Sequence, residues 1–199
     1  MTRFALPTML LGLAALAGCV APVGPVEVTR FHEPAMLGQL GHGTIAVIAA
    51  PGADPSSLEM KTYLTAVSRQ LGATGYADGA ADASDQIALV RVERNYFKPD
   101  RTRGPVSVGV GGATGGGWGS SVGMGLGFDL SGGPKDQVST ELWVQIRNRV
   151  TDAVLWEGRS RFTVNADSPL ADTQLGAAKL AEALFSGFPG TSGETVEVK

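Results

Sequence analysis

Two long runs of alternating character, 138–150 and 154–164, constrain this chain more than any other feature. In the first, Leu142, Val144 and Ile146 alternate with Trp143, Gln145, Arg147 and Arg149. A period of two sends successive side chains to opposite faces of a pleated backbone, so the run reads as a half-buried strand. In the second, Val154, Trp156, Phe162 and Val164 fall in register on one side, and Thr151-Asp152 between the runs makes a turn. The pair is an antiparallel hairpin whose apolar face requires a covering layer.

The cover is supplied by two helical stripes. Asp54-Pro55 offers an N-cap followed by proline at the first helical position, where its missing N–H does no harm. Met60, Leu64, Val67 and Leu71 follow at helical spacing and Gly72 stands as a C-cap, giving a helix over about 55–71. Ser168-Pro169 repeats the device, and Leu170, Ala177, Ala181, Leu184 and Phe188 form a second stripe that Pro189-Gly190 stops. Upstream, 28–32 is a short strand and 44–50 a clearer β-branched one. In 86–97, Ile87 and Leu89 share one face while Ala88, Val90 and Val92 share the other, which suits a strand internal to a sheet. The expected fold class is α+β: a largely antiparallel sheet with two helices packed on it, forming a single domain over 28–190 and followed by a polar tail, 191–199.

Between the third strand and the hairpin lies a glycine-rich segment, 104–133, with 13 of the chain's 28 glycines. Val106, Val108 and Val110 alternate with Ser107 and Gly109; Val122, Met124, Leu126, Phe128 and Leu130 alternate with Gly123, Gly125, Gly127 and Asp129. Period-two order on both arms indicates an inserted hairpin with an apolar face and a glycine face. Two readings stand. One is an interaction surface for a partner, peptidoglycan or lipid headgroups, carried by Trp118, Met124 and Phe128; the other is an extended insertion without a role. A helix packing through Gly115, Gly119, Gly123 and Gly127 is disfavoured, because glycine at nearly every second position makes a very poor helix.

At the N-terminus a single cation, Arg3, precedes an apolar run over 4–16 that is shorter than the roughly 20 residues a bilayer-spanning helix needs. This is the pattern of a secretory signal peptide, 1–18. The run ends in Leu16-Ala17-Gly18-Cys19, which resembles the lipobox of bacterial lipoproteins. The resemblance implies cleavage between Gly18 and Cys19, acylation of Cys19, and a lipidated tether over 19–27. Several acyl chains give stable membrane anchoring. Val20 after Cys19, in place of Asp, implies sorting to the outer membrane, with the domain facing the periplasm.

Composition narrows the chemistry. Sixteen Lys and Arg against 19 Asp and Glu leave a net charge of −3, so no basic face for nucleic acid is expected. One Cys and two His exclude a Cys/His zinc site and an intrachain disulfide. Asp78, Asp82 and Asp85 lack the spacing of a calcium loop and read as a solvated turn. His32 beside Glu33, with His42 beyond, is a weak acid/base candidate that reads better as surface histidines. No nucleophile elbow, zincin motif or phosphate loop appears. The basic cluster of Arg91, Glu93, Arg94, Lys98, Asp100, Arg101 and Arg103 reads as a solvated strand end, and Trp143 and Trp156 as core or cross-strand packing residues. No catalytic residue, metal or cofactor is therefore expected.

Several short motifs together carry a family resemblance: the lipobox, then Lys61-Thr62-Tyr63, Leu71-Gly72-Ala73-Thr74-Gly75-Tyr76, Asp152, Trp156-Glu157-Gly158 and Phe188-Pro189. The ensemble resembles the DUF4136 group of bacterial lipoproteins. That resemblance implies an envelope location and an α+β fold, and it transfers no catalytic residue. The expected function is a non-enzymatic binding or adaptor module on a lipid anchor. A self-assembling structural protein and a periplasmic hydrolase using His32 or His42 are the alternatives.

Overall fold

The computed structural model describes residues 24–99, 106–111, 123–128 and 135–199. Its centre is the pair of long alternating runs, which form β7 (Gln137–Asn148) and β8 (Val154–Asn165). They join antiparallel as the expected hairpin, and the register sets Leu142 opposite Ser160 and Ile146 opposite Trp156. Asp152 takes a positive φ of 56° in the connecting turn and accepts from the Arg147 guanidinium at 3.1 Å.

The other strands extend this hairpin on both sides. β1 (Val26–His32) pairs antiparallel with β8, and β4 (Gln86–Phe97) pairs antiparallel with β7. β2 (Thr44–Ala49) runs parallel to β4, and the two-residue β3 (Ala77–Asp78) runs parallel to β2. β9 (Thr195–Val198) closes the other edge against β1. The order is β3-β2-β4-β7-β8-β1-β9, a seven-stranded sheet that is largely antiparallel but mixed. The parallel step arises because a helix, too long for a hairpin loop, connects β2 to β4. As expected, β4 lies inside the sheet. The sequence over 191–199 differs from its expected role as a polar tail: Val196 and Val198 pack on the core and Glu197 faces outward.

Both helices cover the same face. α1 (Leu58–Ala73) begins three residues later than expected, because Asp54 accepts from the amide and hydroxyl of Ser56 in a local turn, leaving Ser57 to cap the helix by accepting from Met60 N–H at 3.0 Å. It also runs past Gly72. The chain turns at Gly75, whose φ of 111° and close approach to the Gly41 carbonyl leave no space for a Cβ. Ser168-Pro169 caps a short 3-10 turn over Pro169–Ala171, and Asp172 then caps α2 (Thr173–Phe185). Tyr63, Val67, Leu71, Ala177, Leu180, Ala181 and Leu184 from the helices meet Val28, Val90, Leu142, Val144, Ile146 and Trp156 from the sheet, all buried.

Within the segment 104–133, β5 (Val106–Gly111) and β6 (Gly123–Phe128) pair antiparallel as a separate two-stranded sheet. The insertion leaves the main sheet where Phe97 lies opposite Gln137, the last pair of the β4–β7 ladder.

Candidate interaction surface

Among the described residues, the helices occupy one face of the seven-stranded sheet and leave the other open. Alternation along the central strands places Arg91, Trp143 and Arg159 side by side on the open face, since Arg91 lies opposite Trp143 and Trp143 opposite Arg159. The Arg91 guanidinium stacks over the Trp143 ring at 4.7 Å from its centroid. Glu157, one row along, would be pushed up by burial, but hydrogen bonds from Trp143, Arg159 and Gln145 hold its carboxyl below the ordinary carboxylate value. Arg159 donates to Glu157 at 2.9 Å, and Arg161 pairs with Glu27 at 2.6 Å. The charges on this face are therefore largely paired within the chain. Of the two tryptophans expected in packing roles, Trp156 is core and Trp143 is half-buried on the open face.

The β5–β6 hairpin has a different character. Its register sets Val106 opposite Phe128, Val108 opposite Leu126 and Val110 opposite Met124, alternating with Ser107 opposite Gly127, Gly109 opposite Gly125 and Gly111 opposite Gly123. One face takes six apolar register positions; the other takes five glycines and a serine. Met124 and Phe128, two residues of the expected contact surface, thus share the apolar face with the three valines. Trp118 lies outside the described residues, as do Gly18 and Cys19 of the expected processing site. The hairpin's foot in the main sheet carries Tyr96 and Phe97, exposed at 68% and 45%.

The remaining candidates are dispersed. The His32 ring meets the Gly190 carbonyl at 3.0 Å through Nε2, while His42 meets the Leu40 carbonyl at 3.1 Å through Nδ1, and no hydrogen bond among the described residues joins the two. Asp78 accepts from Ser68 at 2.7 Å, whereas Asp85 accepts from Thr44 N–H and Oγ1 at 2.9 and 2.8 Å. These hydrogen bonds hold the Asp85 carboxyl below its ordinary value. Among the described residues no group of three or more His, Cys, Asp or Glu is placed to hold a metal ion. In the basic cluster, Arg91 meets Glu93 at 3.5 Å, Lys98 meets Asp136 at 3.5 Å, and Arg94 turns beneath the helices to reach Glu59, Thr173 and the Ala171 carbonyl. Asp100, Arg101 and Arg103 lie outside the described residues.

Three of the motifs behind the family resemblance meet in space. Trp156 Nε1 donates to the Pro189 carbonyl at 3.0 Å, and its ring lies 5.3 Å from Phe188 and 5.5 Å from Phe185. Tyr76 sets its edge against Phe188 at 6.5 Å. A Cβ on Gly158 would fall into the Trp156 ring and against Leu184. Three short motifs far apart in sequence thus build one aromatic corner that locks α2 to the sheet, a structural role.

A mixed, largely antiparallel sheet with helices on one face defines an α+β protein, with an aromatic corner and an inserted glycine hairpin as its marks. Residues 43–190 match the family described as a domain of unknown function, DUF4136, and the chain belongs to that family. An uncharacterised protein of Zymomonas mobilis is 26% identical over 223 residues, covering 88% of this chain and 80% of its own length. Among solved structures, the chain is similar to the PelC dodecamer from Paraburkholderia phytofirmans, with a TM-score of 0.46, 14% identity, and coverage of 84% of this chain and 99% of that one. It is also similar to a PDZ domain protein from Parabacteroides distasonis, with a TM-score of 0.47, 10% identity, and coverage of 88% and 39%.

Proposed function

We propose that this chain is a lipid-anchored envelope protein whose α+β domain acts as a non-enzymatic contact module through its glycine hairpin. The anchor is the acylated Cys19, exposed by cleavage after Gly18, and the domain faces the periplasm from the outer membrane. The observation that carries the reading is the hairpin itself: a separate two-stranded sheet with six apolar positions on one face, inserted at the end of a ladder that needs only a short turn. An isolated two-stranded hairpin is at best marginally stable in water, so its apolar face calls for a covering partner. The Leu16-Ala17-Gly18-Cys19 sequence supports the anchor.

Two measurements test this. Intact mass of the membrane-extracted protein is expected to match a chain beginning at Cys19 plus acyl groups; a chain retaining residues 1–18 overturns the anchor. In-cell crosslinking with mass spectrometry compares the full protein with a variant in which residues 104–133 are replaced by a short turn. Crosslinks to an envelope component that disappear in the variant are expected, and an unchanged set overturns the hairpin as contact surface.

A further inference from the structure

We propose that the outer edge of β2 docks an extended segment of another polypeptide, which joins the sheet as a further strand and sets an aliphatic side chain in the groove beside α1 and a carboxylate at Arg69. The site is independent of the hairpin.

The backbone is the first support. β3 covers only the start of β2, with Ala77 opposite Thr44 and Asp78 opposite Ile45. Ala77 N–H donates to Gly43 O at 2.9 Å and Gly79 N–H to Ile45 O at 3.0 Å, so Gly43 and Ile45 turn their carbonyls to the outer edge. Ala50 N–H donates the other way, to Val90 O of β4 at 2.8 Å. Successive residues of a strand direct their backbone groups to opposite neighbours, so Val47 and Ala49 face outward with Ile45. Beyond Gly79 the chain turns back toward Thr44 and Ser84, both of which a Cβ on Gly79 would meet. Among the described residues, Val47 and Ala49 therefore have no hydrogen-bond partner for their outward N–H and C=O groups. These groups repeat at about 7 Å, a spacing that another extended backbone reproduces.

The character of the edge is the second support. Thr44-Ile45-Ala46-Val47-Ile48-Ala49 contains no charge and no proline, whereas the opposite edge strand, β9, has Glu197 in it and Glu194 and Lys199 beside it. Charge and proline are what keep an edge from pairing with other chains, and β2 lacks both. The groove is the third. Between this edge and α1 lies an open space of about 520 Å³, lined by the apolar Ile45, Val47 and Leu64 and the polar Ser68, Arg69 and Asp78. Every second side chain of an added strand faces this groove. Asp78 is engaged by Ser68 at 2.7 Å, while Arg69 is exposed and forms no ion pair among the described residues. An acid two residues from the aliphatic side chain, on the same face, complements it. A second copy fits less well, because its own β3 occupies the same edge and leaves only 47–49 to pair.

The test displays random peptides of about eight residues to the full chain and measures the enriched ones by fluorescence anisotropy. They are expected to alternate aliphatic residues with a period of two and to carry an acid. N-methylation of alternate peptide amides is expected to weaken binding about tenfold at one parity and to leave it unchanged at the other, since only every second N–H faces β2. Ala49→Pro removes an outward N–H and no bond to β4, so it is expected to keep the parent's circular dichroism and to bind about tenfold more weakly. Arg69→Glu is expected to weaken binding to a similar extent and Arg69→Lys to preserve it. The variant with residues 104–133 replaced by a short turn is expected to bind as the parent does, which separates this site from the hairpin. Should Ala49→Pro fail to fold, the N-methyl parity and Arg69→Glu decide. No enriched peptide, N-methyl effects without parity, or undiminished binding to Arg69→Glu or to folded Ala49→Pro overturns the proposal. Self-association in sedimentation that folded Ala49→Pro abolishes also overturns it, by assigning the edge to a second copy.

Discussion

Arg30 reaches from β1 to the far end of α2, where the last helical turn leaves carbonyls without helical donors. Its guanidinium donates to Leu184 O at 2.9 Å, Ala183 O at 3.0 Å and Ser186 O at 2.7 Å. Burial lowers its pKa, yet the group stays charged and complements the negative end of the helix. Arg30→Met would leave three carbonyls without that donor, and a loss of about 3 kcal/mol is expected in urea denaturation. Arg30→Lys is expected to recover only part, because an ammonium lacks the planar fork. Tyr63 has the opposite balance: it is fully buried, its hydroxyl is pushed up to about 12 by desolvation, and the oxygen finds no hydrogen-bond partner among the described residues. Tyr63→Phe is expected to be neutral or stabilising by about 1 kcal/mol in the same assay. Asp85 gives the pH dependence. Because its folded pKa is depressed by the Thr44 hydrogen bonds, its contribution is present above the unfolded value and is lost as pH falls through the folded one. Asp85→Asn is thus expected to melt below the parent at pH 7 and to converge with it in acid; a gap that persists at pH 2 would contradict this. None of these three roles was legible in sequence, since the decisive partners lie on other elements: Arg30 meets residues more than 150 positions away, and Asp85 reads as one acid in a polar loop until Thr44 is placed beside it.

Elements were legible in proportion to their length. The 12-residue runs of β7 and β8 carry enough alternation to fix their faces and their pairing as a hairpin, whereas β9 offers only Thr195 to Val198 among glycine and glutamate. Four residues cannot raise a period of two above a polar background, yet the strand matters. It covers the edge of β1, where Val26 and Val28 are fully buried, and Thr29 and Thr195 share a hydrogen bond of 2.7 Å across it. The preceding loop continues the cover, because Gly193 N–H donates to Arg30 O and Ser192 Oγ accepts from His32 N–H. Removing residues 194–199 exposes apolar area from two strands and frees an edge. At about 25 cal/mol per Å² of apolar surface plus the lost ladder, a destabilisation of roughly 2–4 kcal/mol is expected by chemical denaturation. A truncated chain with the parent's midpoint would show that β9 is ornamental. The helix starts were displaced for a related reason: Asp54-Pro55 and Ser168-Pro169 are good caps by residue type, but each closes a local turn ahead of the helix, and the true caps Ser57 and Asp172 stand three and four residues further on.

At the scale of the molecule, the fold and the hairpin are separable. Sequence alternation alone predicted an insertion with one apolar and one glycine face, and the β5–β6 register agrees; what that face contacts depends on partners outside the chain, so residue pattern sets only its chemistry. The main sheet does not depend on the insertion. β4 and β7 are already antiparallel neighbours paired to their ends, with Phe97 opposite Gln137, so a turn of a few residues can join them without shifting register. A long flexible connection costs about 0.6 kcal/mol for each doubling of its length, and the replacement shortens the stretch between Phe97 and Gln137 by fewer than two doublings, so the domain should be as stable as before or up to about 1 kcal/mol more so. Replacement of residues 104–133 by a short turn is therefore expected to preserve circular dichroism and raise or maintain the urea midpoint, while the crosslinks to an envelope component are lost. If the replacement instead unfolds the domain, the insertion belongs to the core, and the open sheet face around Trp143 becomes the surface to test. If stability holds and the crosslinks disappear, stability resides in the aromatic corner and the seven-stranded sheet, and contact in a hairpin that the sheet merely carries.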